Sequence, residues 1–178
     1  MTDSHDDQSL LDAVAFAARA HQGQQRKDGK TPYASHPFRV CLVVRHVFGF
    51  DDRRMLIAAL LHDTIEDTTT DFDGLAEAFG REVAEWVAFL SKDKRRPDDQ
   101  RERAYIEGLR AAPWQVQVCK LADVYDNLQD TAGLPPERRK HSVARAQQYL
   151  EAVAGSKVPQ MAQPLALVRE QLRRVRLD

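Results

Sequence analysis

His62, Asp63, Glu66 and Asp67 stand at the end of an apolar run in the segment AALLHDTIEDT, residues 58–68. On a continuous helix positions 62 and 66 share a face, as do 63 and 67, and 63 lies beside 66. Crowding carboxylates at the end of an apolar helix costs free energy unless a cation or hydrogen-bond donors compensate it. A His-Asp dipeptide alone carries little meaning, as His5-Asp6 in the polar N-terminal stretch illustrates, and a lone His on an apolar helix is more often a hydrogen-bonded core residue. Three observations reverse that preference here. His36 opens a helix in YASHPFRV, just ahead of Pro37, so its imidazole projects from a helix start. Asp123 sits in the otherwise apolar VQVCKLADVYDNLQD, four residues from Asn127 and on the same face. Finally, His36, His62, Asp63 and Asp123 make a nitrogen-and-oxygen set suited to one divalent ion such as Mn²⁺, Fe²⁺ or Zn²⁺, with positions left for water and a phosphate oxygen.

The elements that must position these residues are helical almost throughout. Leu10, Val14, Ala17, Ala18 and His21 fit one helix face, as do Val40, Val43, Val44 and Val47, and then Met55, Ala58, Ala59 and His62. Breakers separate them: GQQRKDGKTPYASHP, FGFDD and DTTTDFD, the last of which caps the following helix through Asp71 or Asp73. Gly80 ends that short helix, Pro113 opens one running to about Asp130, and Pro135 or Pro136 opens another closed by Gly155. SKDKRRPDDQRER, from Ser91 to Arg103, reads as a solvated loop leading into a helix, and LALVREQLRRVRL as a last helix with one apolar and one basic face. The expected fold is all-α, a helical bundle forming a single domain over residues 1–178, with the chemistry-bearing stretches in 15–130 and C-terminal helices in 135–176.

Composition narrows the functional classes. With 43% hydrophobic and 30% charged residues the chain suits a globular domain, and no apolar run reaches the length of a bilayer span. The acidic start MTDSHDDQ lacks the features of a signal peptide, so a cytoplasmic location is expected. Lys and Arg number 26 against 27 Asp and Glu, which leaves no global field to hold nucleic acid; any anion must meet a local cluster. Cys41 and Cys119 lie among apolar neighbours and read as buried, reduced thiols.

Three ordered motifs make the chain resemble the hydrolase domain of the RelA/SpoT family, an HD-type domain, and especially its stand-alone small alarmone hydrolases. AARAHQGQQRKDGKTPYASHP matches the opening A-x-x-A-H-x-G-Q-x-R-(K/R)-x-G-x-P-Y-x-x-H-P, LLHDTIEDT matches L-L-H-D-x-x-E-D-T, and KLADVYDNL matches K-L-A-D-(K/R)-x-x-N. The resemblance implies that His36, His62, Asp63 and Asp123 bind one Mn²⁺ and that Glu66 and Asp67 align and deprotonate the attacking water. It also implies that Arg26 and Lys27 meet a pyrophosphate, that Asn127 contacts the nucleotide or a ligated water, and that Tyr33 closes the pocket or packs beneath the loop. Lys92, Lys94 and Arg101 would form a second cationic wall. The implied reaction is hydrolysis of the 3′-diphosphate of ppGpp or pppGpp to GDP or GTP and pyrophosphate, on a small-molecule nucleotide with neither nucleic acid nor membrane as partner.

Two departures bear on the substrate. Val124 replaces the family's Lys or Arg and Asp126 replaces an aromatic or imidazole, and an extra acid near the pocket would oppose an anionic ligand. Hence a second reading keeps the metal chemistry but takes another nucleotide, such as a nucleoside monophosphate or the 2′-phosphate of NADPH. A reading of another class is a non-catalytic HD module that senses a nucleotide, which would predict loss of a ligand or of the acidic pair.

Overall fold

The computed structural model describes the backbone of residues 4–175 and the side chains of residues 8–175, so the His5 and Asp6 side chains lie outside it. Ten α-helices follow one another among the described residues: α1 (Ser4–Ala20), α2 (Ser35–Leu42), α3 (Arg53–Leu61), α4 (Thr64–Asp67), α5 (Phe72–Phe79), α6 (Arg81–Leu90), α7 (Asp98–Ala111), α8 (Trp114–Gln129), α9 (Pro136–Val153) and α10 (Ala162–Arg174). A π-turn at Val43–Val47 prolongs α2, and the only extended pairing described is an isolated bridge between Gln25 and Pro32. Among the described residues no helix is long and apolar enough to cross a membrane.

The architecture is organised around α3. Every residue from Met55 to Leu61 is buried, because this short helix packs against α1, α2, α6 and α8 on different sides. The expected face of Met55, Ala58, Ala59 and His62 is buried, but so are Leu56, Ile57, Leu60 and Leu61, which is the pattern of a helix surrounded by protein. Truncating one of these leucines to Ala would cost about 2–5 kcal/mol. On α1 the outcome differs from expectation. The helix begins at Ser4, within the stretch that reads as a polar tail, and its buried residues are Ala13, Ala17 and, just past its end, His21. Val14 is 36% exposed and Ala18 is exposed, since the small alanines one turn apart let α1 approach α3 closely.

Local chemistry ends the helices where the punctuation suggests. Asp52 caps α3 by accepting from Met55 N (3.2 Å), and Asp71, of the two candidates, caps α5 by accepting from Gly74 N (2.9 Å). Gly80 has φ +87°, a conformation that favours glycine, and separates α5 from α6. Cys119 is buried as expected, but Cys41 is only half-buried; both are free thiols, and burial pushes that of Cys41 up to about 11.

What matters for the site is that α2, α3 and α8 each pack against the other two. Helix α9 covers α8 and α7, and α6 leads through residues 91–97 into α7. A cavity of about 350 Å³ opens between the three-helix group and α9.

Candidate metal centre and nucleotide cavity

The expected continuous helix through residues 58–68 is broken. α3 stops at Leu61, His62 and Asp63 form a turn, and α4 is a single turn over Thr64–Asp67. Asp63 sits near φ −99°, ψ −3°, and Thr64 Oγ1 donates to Leu61 O (2.7 Å), satisfying a carbonyl at the end of α3. The break turns His62 and Asp63 toward one point, with Asp63 Oδ2 3.0 Å from His62 Nε2.

His36, in the first turn of α2, and Asp123, midway along α8, reach the same point. His36 Nε2 lies 3.1 Å from Asp123 Oδ1 and 3.6 Å from Asp63 Oδ2, and His62 Nε2 lies 3.8 Å from Asp123 Oδ1. Donor atoms each about 2.1 Å from a common ion are separated by about 3 to 4 Å, so His36, His62 and Asp123 match the spread of a ligand shell, and Asp63 stands beside the two imidazoles. His62 Nδ1 lies 2.8 Å from Ala59 O, which fixes its proton there and leaves Nε2 buried without a hydrogen-bond partner. A buried, unpartnered imidazole nitrogen facing two carboxylates and a second imidazole fits a divalent cation.

Electrostatics give the same picture. Burial opposes a charge on His62, but Asp63 and Asp123 outweigh it and raise the imidazole to about 9. Burial likewise opposes charge on His36, and its bonds to Asp123 and Asp126 raise it. Burial would raise Asp123, but the ammonium of Lys120 and the two imidazoles hold it well below the usual carboxylate range. Lys120 Nζ donates to Asp123 Oδ2 (2.7 Å) from a pocket where it lies 4.3 Å from the ring centre of Tyr149 and 5.1 Å from that of Tyr105. Removing one member of a buried pair of this kind costs about 3–5 kcal/mol.

The acidic pair is divided between two settings. Glu66 lines the cavity, and its Oε2 accepts from Lys92 N (2.9 Å); burial, and then the nearby Asp63 and Asp67, raise its carboxyl against the pull of Lys92. Asp67 turns to the rim, where Oδ1 accepts from Lys94 Nζ (2.5 Å) and its backbone oxygen accepts from Gln24 Nε2 (2.8 Å). Neighbours on one helical turn point about 100° apart, so one carboxylate enters the cavity and the other does not.

The loop before α2 is a small hairpin. Asp28 Oδ1 accepts from the backbone of Lys30 and Thr31 (both 2.9 Å), and Arg26 N donates to Thr31 O (2.8 Å). It delivers Tyr33 to Asp63, whose Oδ2 accepts from the phenol (2.5 Å), and Lys27 to the cavity lining. Burial pushes the Tyr33 hydroxyl far up, with Asp63 adding to it, so the phenol is a fixed donor.

Three expectations need correction. Arg26 is 8% exposed and its guanidinium is committed to Asp130 Oδ2 (2.6 Å) and Asn127 Oδ1 (3.2 Å), so it braces the loop against α8 and does not line the main cavity. Arg101 pairs with Asp98 on its own helix and lines a separate depression beside Asp93 and Arg96, because α7 carries it to the outer side. Asp126 is fully buried behind His36, facing Arg39 and Arg26, and does not line the cavity. The expected opposition between this acid and an anionic ligand therefore loses its basis. Asn127 does line the cavity, with its amide on Asp123 Oδ1 (2.5 Å).

Of the opposite wall, the sequence pointed only to Lys92. His141, Ser142, Arg145 and Tyr149 of α9 line the cavity together with Lys92, and Glu102 of α7 binds Arg145 and Tyr149. Lys92 lies 3.5 Å from Glu102 and is lowered to about 8, first by burial and then by Lys120. Lys120, on the inner side, carries a readable signal three residues before Asp123 on the same helix face, whereas His141, Ser142, Arg145, Tyr149 and Glu102 carry none.

The profile of the HD domain family matches residues 13–153. The guanosine-3′,5′-bis(diphosphate) 3′-pyrophosphohydrolase MESH1 of Danio rerio is 41% identical over 143 residues, covering 80% of this chain and 78% of that protein. Its human counterpart is 40% identical over 146 residues, 82% of this chain and 80% of that protein. Among solved structures, that of a metazoan ortholog of SpoT, described as hydrolyzing ppGpp and playing a role in starvation responses, superimposes with a TM-score of 0.84 at 29% identity, over 93% of this chain and 94% of that one. The chain belongs to the HD-domain family, and within it to the hydrolases that include these metazoan SpoT-type enzymes.

Proposed function

We propose that the chain is a metal-dependent phosphohydrolase that removes the 3′-diphosphate of ppGpp or pppGpp, with one Mn²⁺ as the working metal and residues 1–178 acting as a single HD-type unit. The observation that carries this reading is the convergence of His36, His62, Asp63 and Asp123, with one imidazole nitrogen left unpartnered, on the floor of the cavity that Glu66 also lines. The names of the relatives supply the substrate.

A divalent ion held by His36, His62, Asp63 and Asp123 would supply Lewis acidity, making nearby water easier to deprotonate near neutral pH and offsetting charge on a phosphoryl oxygen. The protein does the rest. Glu66, with its raised carboxyl, orients the attacking water and accepts its proton, while the Lys92 backbone N–H holds the carboxylate in place. The water oxygen bonds to the phosphorus attached to the ribose 3′ oxygen; the P–O3′ bond breaks with its electron pair on the 3′ oxygen, which takes a proton from solvent to become the 3′-hydroxyl of GDP or GTP, and the two phosphates depart as pyrophosphate. Asp67, paired with Lys94 at the rim, supports the acidic pair and sets the field at the mouth. Lys27, Lys92 and Arg145 line the same cavity and offset the charge of a substrate bearing two diphosphates, while Asn127 holds Asp123 beside it. The apolar side chains of Leu90, Val124, Leu128 and Ala146 leave a surface for a base.

Incubation of the purified protein and Mn²⁺ with ppGpp, with a nucleoside monophosphate and with NADPH tests the reading. Pyrophosphate and GDP should appear from the first at the highest kcat/KM. Orthophosphate release from either of the others at a higher kcat/KM would sink the alarmone assignment while leaving the metal chemistry standing.

A further inference from the structure

Resting on the metal reading above, we infer that Asp126 is a positioning residue that fixes the tautomer and strengthens the basicity of His36 as a ligand. Asp123 and Asp126 are three residues apart on α8 and grip the His36 ring from its two nitrogens. Asp123 Oδ1 lies 3.1 Å from Nε2 on the cavity side, and Asp126 Oδ2 lies 2.8 Å from Nδ1 on the far side. A carboxylate at that distance accepts a proton carried on Nδ1, and the other neutral tautomer would set a lone pair against it. The Nε2 lone pair is thereby aimed at the point that His62, Asp63 and Asp123 share.

The two imidazoles differ in what stands behind them. His62 Nδ1 faces a neutral carbonyl, Ala59 O, whereas His36 Nδ1 faces a carboxylate with no exposure to solvent. A buried carboxylate is tolerated only when its charge is met. Arg39 Nε is 2.7 Å from Asp126 Oδ1 and Arg26 Nη2 is 3.8 Å from Oδ2, and both guanidiniums also bind Asp130, at 3.2 and 2.6 Å. Two arginines and two aspartates thus form a balanced cluster that keeps a negative charge behind one ligand. The His36 contact separates a positioning role from simple anchoring of the loop, because Asp130 anchors the same two arginines without touching His36.

The test is Mn²⁺ affinity, read by electron paramagnetic resonance of the free ion, for the wild type, Asp126→Asn, Asp126→Ser and Asp130→Asn, with circular dichroism to check folding. Asp126→Asn should weaken binding about tenfold and Asp126→Ser between about 10- and 100-fold. Asp130→Asn should lower Tm but change the affinity less than about threefold. A change below about threefold in both Asp126 variants, or an equal loss in Asp130→Asn, overturns the inference. A wild type that binds no Mn²⁺ sinks the metal reading itself and the inference with it. A measurement without variants gives a second check: in the Zn²⁺-loaded wild type, ¹H–¹⁵N spectra should place the His36 proton on Nδ1, downfield of that of His62. A His36 proton on Nε2, or one no further downfield than that of His62, counts against Asp126 equally.

Discussion

The two walls of the cavity are built on different physical terms. On the inner wall, α2, α3 and α8 pack against one another and hold His36, His62 and Asp123 at 7% exposure or less, each with a partner that fixes its orientation. On the outer wall, Lys92 and Arg145 share Glu102 with Tyr149, and Lys94 stands more than half exposed against Asp67. Buried groups of the first kind cannot relax when a partner is removed, so their loss is costly and specific. Charges of the second kind are more open to solvent, with side-chain exposures of 20% at Lys92, 31% at Arg145 and 54% at Lys94, so each is better screened than the inner set and contributes less. The inner wall is therefore expected to govern whether chemistry occurs, and the outer wall how tightly an anion is held.

Removing an inner ligand gives the sharpest contrast. His62→Ala or Asp123→Ala should abolish stoichiometric metal binding and lower kcat/KM by at least about 10³-fold, measured by metal analysis after gel filtration and by pyrophosphate release. Retention of full activity without metal would break the division between the walls. Next, Glu66→Gln should lower kcat about 10²- to 10⁴-fold with metal and nucleotide still bound, as expected for loss of a general base. Asp67→Asn, whose carboxylate already serves Lys94, should cost less than about tenfold. Equal effects would show that the rim carboxylate turns inward during turnover, and indifference to both would favour a nucleotide sensor over an enzyme.

The outer wall should respond through KM. Arg145→Gln is expected to raise KM for ppGpp about three- to tenfold with little change in kcat, and the effect should shrink as salt is added. A fall in kcat of the same size would place Arg145 in the chemistry. The smallest effect is a pH dependence. Lys92, lowered to about 8, is charged below that value and neutral above it, so KM should rise as pH passes through about 8. Lys92→Arg should flatten that rise. The same shift makes the unfolded chain bind more protons than the folded one between about 8 and the usual lysine range, so the Lys92 contribution to stability should increase with pH there. Glu66 moves the other way as an acid: its raised carboxyl must lose a proton to serve as base, so the acidic limb of kcat should lie above the ordinary glutamate value.

The contrast between the walls is also a contrast in what the chain pattern reveals. His36, His62, Asp63 and Asp123 could be read because each is an ionisable residue at a helix end or in an apolar helix, where its presence is costly and needs a reason. Arg145 and Glu102 could not. They lie in ordinary amphipathic helices, at positions where charge is the common choice, and gain meaning only because α7 and α9 meet across the cavity. Arg26 and Arg101 mislead for the related reason that a basic residue near a motif has several acids within reach, and sequence does not say which one captures it.

What the amino-acid order decided by itself is the all-α class, the main helix boundaries at FGFDD, at Asp71 or Asp73, at Gly80 and at Pro135 or Pro136, and the identity of the metal-binding candidates. Those rest on short-range rules, namely helical periodicity, capping and the cost of a buried charge. The tertiary structure decided the rest. It broke the helix at His62 so that two neighbours face one point, sent Glu66 inward and Asp67 outward, and turned Asp126 from a suspected opponent of the substrate into the support of His36. Each of these depends on which helices lie side by side. Which residue sits behind an imidazole is a property of packing between α2 and α8, and no spacing within one segment encodes it.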